Sequence, residues 1–141
     1  MWMIFIAFIA FIAVLAIAGR LGRARVRRIA RERAGEGFTD FAAHFAGQGI
    51  PREILLNTYD YFAECYSYAV ERFPVRADDG LEDVYGIEDE DLAEAVGEIL
   101  EKSGRRWFTE SERPRWPRVE TVRDVVLYVA AALACTAGAF L

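Results

Sequence analysis

The chain has 141 residues, 17 basic and 22 acidic side chains, a formal charge of −5, one histidine and two cysteines. His44 alone cannot build a histidine metal site. Cys65 and Cys135 lie too far apart for a metal or redox motif, so both are expected as buried thiols rather than a disulfide. From Ala34 onward there are 21 acidic and 10 basic residues, a balance that repels polyanions and excludes nucleic acid as a partner.

Met1 to Ala18 contain no charged or strongly polar side chain. As a helix rising about 1.5 Å per residue the segment covers roughly 27 Å, close to the ~30 Å of bilayer hydrocarbon. Residues 1–19 are therefore expected to form a transmembrane anchor. Arg20, Arg23, Arg25, Arg27, Arg28, Arg31 and Arg33 follow, within a basic juxtamembrane segment at 20–37. Positive charge after the apolar run keeps that side in the cytoplasm and puts the N-terminus outside. The competing reading is a secretory signal cleaved after Ala16-Ile17-Ala18, but a signal carries its positive charge before the apolar run. The first six of these arginines are expected to lie on anionic lipid headgroups, each contributing about 1 kcal/mol near the surface.

Phe38, Phe41 and Phe45 recur at helical spacing and predict a short aromatic helix within 38–50, packed on the domain or resting on the membrane. Residues 51–141 read as an acidic helical domain. Pro51 suits the first helical position, and Pro74 blocks continuation, predicting a helix from Pro51 to about Phe73. Its buried face is expected to hold Ile54, Tyr61, Cys65 and Tyr68, adjoined by Leu55, Phe62, Ala69 and Phe73.

A turn or short helix follows at 78–86, with Asp79 and Glu82 as a cap pair and Leu81, Val84 and Tyr85 turned inward. The next helix is predicted from Asp89 to about Ser103, burying Leu92, Val96, Ile99 and Leu100. Glu88, Asp89, Glu90 and Asp91 crowd its first turn, where the helix dipole favours negative charge. Residues 105–118 read as an irregular connection rich in arginine and tryptophan. Thr121-Val122-Arg123-Asp124 is a capping box opening the last helix. Val125 to Leu141 is uncharged and near the lower length limit for a span, but Val122, Val125, Val126 and Val129 are patterned for a core. A soluble helix is expected there, with a membrane hairpin as the alternative. The fold class is all-α.

Three stretches carry a family likeness: Phe73-Pro74-Val75 with Asp78-Asp79, Val84-Tyr85-Gly86-Ile87 leading to Glu90-Asp91-Leu92, and Glu120 through Val126. Over about 51–134 the domain resembles an acyl-carrier-protein-like bundle, especially the divergent acyl-carrier-like proteins of bacteria. Carriers attach phosphopantetheine to the serine of a D-S-L motif at the start of their second helix. Here Asp91 occupies that place and has no hydroxyl to modify, so the resemblance implies a carrier-shaped domain with no cofactor. The 105–118 connection stands where a short third helix is usual.

Asp78 to Glu101 holds eleven acidic residues and no basic one. The bland reading is a solvated helix. The functional one is a docking surface for a basic protein partner, as the carrier likeness implies, with Glu88, Asp91, Glu94 and Glu98 as its exposed face. Calcium is disfavoured because neither acidic run has EF-hand spacing. No catalytic constellation is present, so an enzyme is not expected. An alternative use for the connection is gripping lipid, with Trp107 and Trp116 at the interface and Arg105, Arg106, Arg113 and Arg115 on phosphates. The expectation is a single-pass protein of a bacterial inner membrane with a non-catalytic cytoplasmic interaction module.

Overall fold

The computed structural model describes residues 2–111 and 118–132. Six helices follow in order: α1 (Trp2–Glu32), α2 (Phe38–Ala43), α3 (Arg52–Glu64), α4 (Leu81–Tyr85), α5 (Asp89–Lys102) and α6 (Val122–Ala131). No strand occurs among the described residues; Gly80 and Thr121 form an isolated antiparallel bridge. The expected all-α class is what the chain adopts.

α1 runs unbroken for 31 residues, about 46 Å at the standard rise. The change from apolar to basic sequence at Gly19 is not a structural boundary, because arginine is as good a helix former as leucine. Phe-Ile-Ala triplets repeat at Phe5, Phe8 and Phe11. Each triplet turns about 300°, so the pattern drifts round the axis and leaves no polar face. A helix that is apolar all round needs an apolar solvent. The most apolar window has a mean hydropathy of 2.7, and none of it is buried against protein. Among the described residues, α1 is the one helix long and apolar enough to cross a membrane.

The remaining helices enclose one core around α3. Ile54, Tyr59, Phe62 and Ala63 meet Phe41 of α2, Ile99 and Leu100 of α5, and Val122, Val125, Val126 and Val129 of α6. Phe41 lies 5.3 Å from Tyr59, so the aromatic helix packs on the domain rather than away from it. α6 opens as predicted: the Thr121 hydroxyl accepts from the Asp124 amide, and Asp124 Oδ2 accepts from the Thr121 amide. Its valines are fully buried, so the first turns of the 125–141 apolar run belong to the core; residues 133–141, with Cys135, lie outside the described residues.

Two expectations are corrected. α3 ends at Glu64, nine residues before Phe73, because the chain doubles back and the Phe73 amide donates to Ala63 O at 3.2 Å. Phe73 is thereby buried from a returning loop, while Tyr68, expected in the core, is 57 % exposed. The second correction concerns Asp79, which does not cap α4. Gly80 holds the N-cap position, and Asp79 points into the interior at 5 % exposure.

Candidate interaction surfaces

Arg33, at the end of the basic run, turns inward. Its guanidinium grips Asp79 with both arms, Nη1 to Oδ2 at 2.8 Å and Nη2 to Oδ1 at 2.7 Å, and Nη1 also donates to Pro74 O at 3.0 Å. Asp79 Oδ2 accepts further bonds from the Arg76 amide (2.9 Å) and the Tyr85 hydroxyl (3.0 Å). Four donors on one carboxylate satisfy a charge that would otherwise be costly to bury. The Arg33 guanidinium also sits over the Phe73 ring, 5.7 Å from its centroid. Burial and the adjacent Asp79 carboxylate push the Tyr85 phenol far up, so it stays a donor. The backbone of Asp79 completes the junction: its carbonyl accepts from the Val122 amide at 3.0 Å, beginning α6. One buried ion pair thus ties α1 to α4 and α6.

Further up α1, the arginines expected at lipid headgroups lie along the exposed helix, and several also touch the domain. Arg25 donates to Asp83 O, Arg27 Nε donates to Ala69 O at 3.3 Å, and Arg23 lies over the Tyr68 ring at 6.0 Å. Arg28 approaches Glu32 at 3.9 Å, an exposed pair of little energetic weight. Arg20 and Arg31 are exposed on the same helix. Val26 is buried between these contacts, so the basic half of α1 is docked on the domain rather than joined through a loose tether.

The acidic residues singled out fall on two surfaces. Asp91, Glu94 and Glu98 are exposed on α5, and all three bear on Tyr61 of α3, whose phenol is pushed up to about 12, chiefly by burial. Cys65 beside it is raised to about 11, again mainly by burial, with Glu98 and Glu64 adding to the effect. Lys102 lies 2.9 Å from Glu98 and is the cation in this stripe. Glu88 stands apart: it is the N-cap residue of α5 and lines a cleft of about 470 Å³ with Glu82, Asp83, Asp89, Glu90 and Arg118. Arg118 bridges that cleft, 3.3 Å from Asp89.

Adjoining that cleft, and sharing Asp89, Leu92 and Val119 with it, a mainly apolar groove of about 460 Å³ is lined further by Val96, Trp107 and Tyr128. Trp107 rests against Gly97, where an added Cβ would meet its ring at 3.2 Å. Arg105 is not available to lipid phosphates, because its guanidinium donates to Ala130 O at 3.1 Å and to Ala132 O at the end of α6. Arg113, Arg115 and Trp116 lie outside the described residues. No group of His, Cys, Asp and Glu side chains suited to a metal ion occurs among the described residues.

Sequence pattern alone did not reveal the Arg33–Asp79 pair or the exposure of Tyr68. The one local signal was an aspartate doublet next to a glycine, which reads as a turn. No known protein family, curated protein or solved structure matches this chain.

Proposed function

We propose that the chain is a membrane-anchored, non-catalytic adaptor. In this reading α1 crosses a bacterial inner membrane once with its N-terminus outside, and the acidic helical domain stays in the cytoplasm. The observation that carries it is the bare apolar half of α1, followed without a break by exposed arginines on the same helix. Water would charge about 25 cal/mol for each Å² of that apolar surface, which lipid removes. The arginine flank supplies the orientation by the positive-inside rule.

The acidic stripe of Asp91, Glu94 and Glu98 is then the docking face for a protein partner with a basic surface, with Glu88 of the neighbouring cleft as a separate, flanking contact. Charge complementarity speeds encounter and rejects acidic competitors more than it tightens the final complex. The acyl-carrier-like reading belongs to the same proposal: a carrier-shaped module with Asp91 in the serine's place, binding partners without a prosthetic group. Lipid headgroup contact through Arg20, Arg23, Arg25, Arg27, Arg28 and Arg31 is compatible with docking, at about 1 kcal/mol for each arginine near an anionic surface.

The test is a photocrosslinking amino acid at Glu90, beside the stripe, in native membranes, followed by Asp91→Lys, Glu94→Lys and Glu98→Lys together. The proposal expects a discrete adduct that disappears on charge reversal while the helical circular dichroism is unchanged. An adduct pattern indifferent to the reversal would overturn it.

A further inference from the structure

Beyond α1, two large hydrophobic side chains of the described domain are strongly exposed, Tyr68 and Trp107. Trp107 is seated against Gly97 and beside Tyr128. Tyr68 has a different setting. It stands at the tip of the turn after α3, its edge against Tyr66 at 6.0 Å and its face toward the Arg23 guanidinium.

The position of Arg23 along α1 fixes the height of Tyr68. Trp2 to Leu21 as helix spans about 30 Å, which matches the hydrocarbon thickness if Arg20 extends its charge outward along the helix. Arg23 then lies about 3 Å beyond the hydrocarbon, within a headgroup layer roughly 5–8 Å deep on each side. The other domain contacts of α1 come later along the helix, Asp83 at Arg25, Ala69 at Arg27 and Asp79 at Arg33. Of these contacts between α1 and the domain, that of Tyr68 with Arg23 lies nearest the bilayer. Tyrosine, with an apolar ring and a polar tip, is the residue type that settles at this depth. The local charge agrees: Arg20, Arg23, Arg25, Arg27 and Arg28 outnumber Glu71 of the loop after α3 and Glu82 and Asp83 of α4.

We propose that the turn carrying Tyr66 to Tyr68 rests on the phospholipid headgroup layer, with Tyr68 inserted beside Arg23. This inference rests on α1 crossing the membrane, and adds that the domain lies against the bilayer in a fixed orientation, held there by the Arg33–Asp79 junction. The two arms of α1 and Tyr68 then grip the same surface.

The full chain, with Cys65→Ser and Cys135→Ser, carries a single nitroxide at Tyr68→Cys, Ser67→Cys, Glu94→Cys or Ile12→Cys and is reconstituted in phosphatidylglycerol-containing vesicles. Collisional accessibility to oxygen and to a water-soluble nickel chelate is read at each site. The expected result is an oxygen-dominated signal at position 12, and nickel accessibility at 67 and 68 several-fold lower than at 94. The Ser67 label keeps Tyr68 in place, so a poorly behaved Tyr68 variant does not decide the outcome. Equal nickel accessibility at 67, 68 and 94 with position 12 still in lipid overturns this inference and leaves the anchor standing. Nickel accessibility at position 12 overturns both.

Discussion

Replacing Asp79 by asparagine tests whether the Arg33–Asp79 junction holds α1 to the domain. The side chains of Arg33 and Asp79 are 11 % and 4 % exposed, so neither charge is rescued by water when its partner goes. In Asp79→Asn one oxygen can still accept from the Arg76 amide and the Tyr85 hydroxyl, as Oδ2 does now. The new NH₂ group, however, faces an Arg33 donor, and a buried guanidinium is left without a counter-charge. Breaking a buried pair from one side costs about 3–5 kcal/mol. Against a total stability of roughly 5–15 kcal/mol this is a large fraction, and it lowers Tm by on the order of 10 °C or more. Adding Arg33→Leu to Asp79→Asn removes the orphaned charge while keeping the two neutral hydrogen bonds, so the double variant should regain part of the loss. Thermal and denaturant unfolding in detergent, followed by circular dichroism, measure the complete cycle. A coupling of about 2 kcal/mol is expected, within the range seen for contacting residues. Additive losses, or an Asp79→Asn variant that melts within a degree or two of the parent, would refute the reasoning.

Thr121→Ala removes the hydroxyl that accepts from the Asp124 amide and should cost about 1 kcal/mol, read as an earlier urea midpoint with an unchanged slope. Glu36 hydrogen-bonds Arg76, which holds its carboxyl below the ordinary value of 4.5. Its contribution is therefore present above that value and lost as pH falls through the lower folded one, and Glu36→Gln should flatten the acid limb of the stability profile. The Cys65 thiol, raised from 9.0 to about 11, keeps about a hundredfold less thiolate than a free thiol near neutrality. In a Cys135→Ser background its alkylation should be correspondingly slow, and because the folded thiol binds its proton more tightly, stability should fall as pH rises above 9.0.

The elements legible in sequence were those whose signals are local. The Thr121–Asp124 box opens α6, three carboxylates in the first turn open α5, and Phe38 with Phe41 mark α2. α3 was read too long because Pro74 forbids helix beyond it without requiring helix up to it. What ends α3 is tertiary: Tyr66, Phe73 and Tyr85 gather into one aromatic cluster, with rings 5.1 to 5.9 Å apart, and the chain must reverse to bring Phe73 there. The same holds for Arg33. It stands in a run of arginines that differ in sequence only by position, and its partner lies 46 residues away. Nothing local distinguishes it from Arg31, which is exposed. The acidic face was legible as composition, but its division into a stripe beside Tyr61 and a cleft beside Arg118 depends on how α5 packs.

The central claim is that α1 stays in the lipid and holds the domain on the inner side. Protease treatment of intact spheroplasts and of inverted vesicles, with the N-terminal mass of carbonate-washed membranes, tests it directly. The account predicts an intact chain in the washed membranes whose domain is digested only in inverted vesicles. A chain beginning at Gly19, release by carbonate, or digestion from the spheroplast exterior would contradict it.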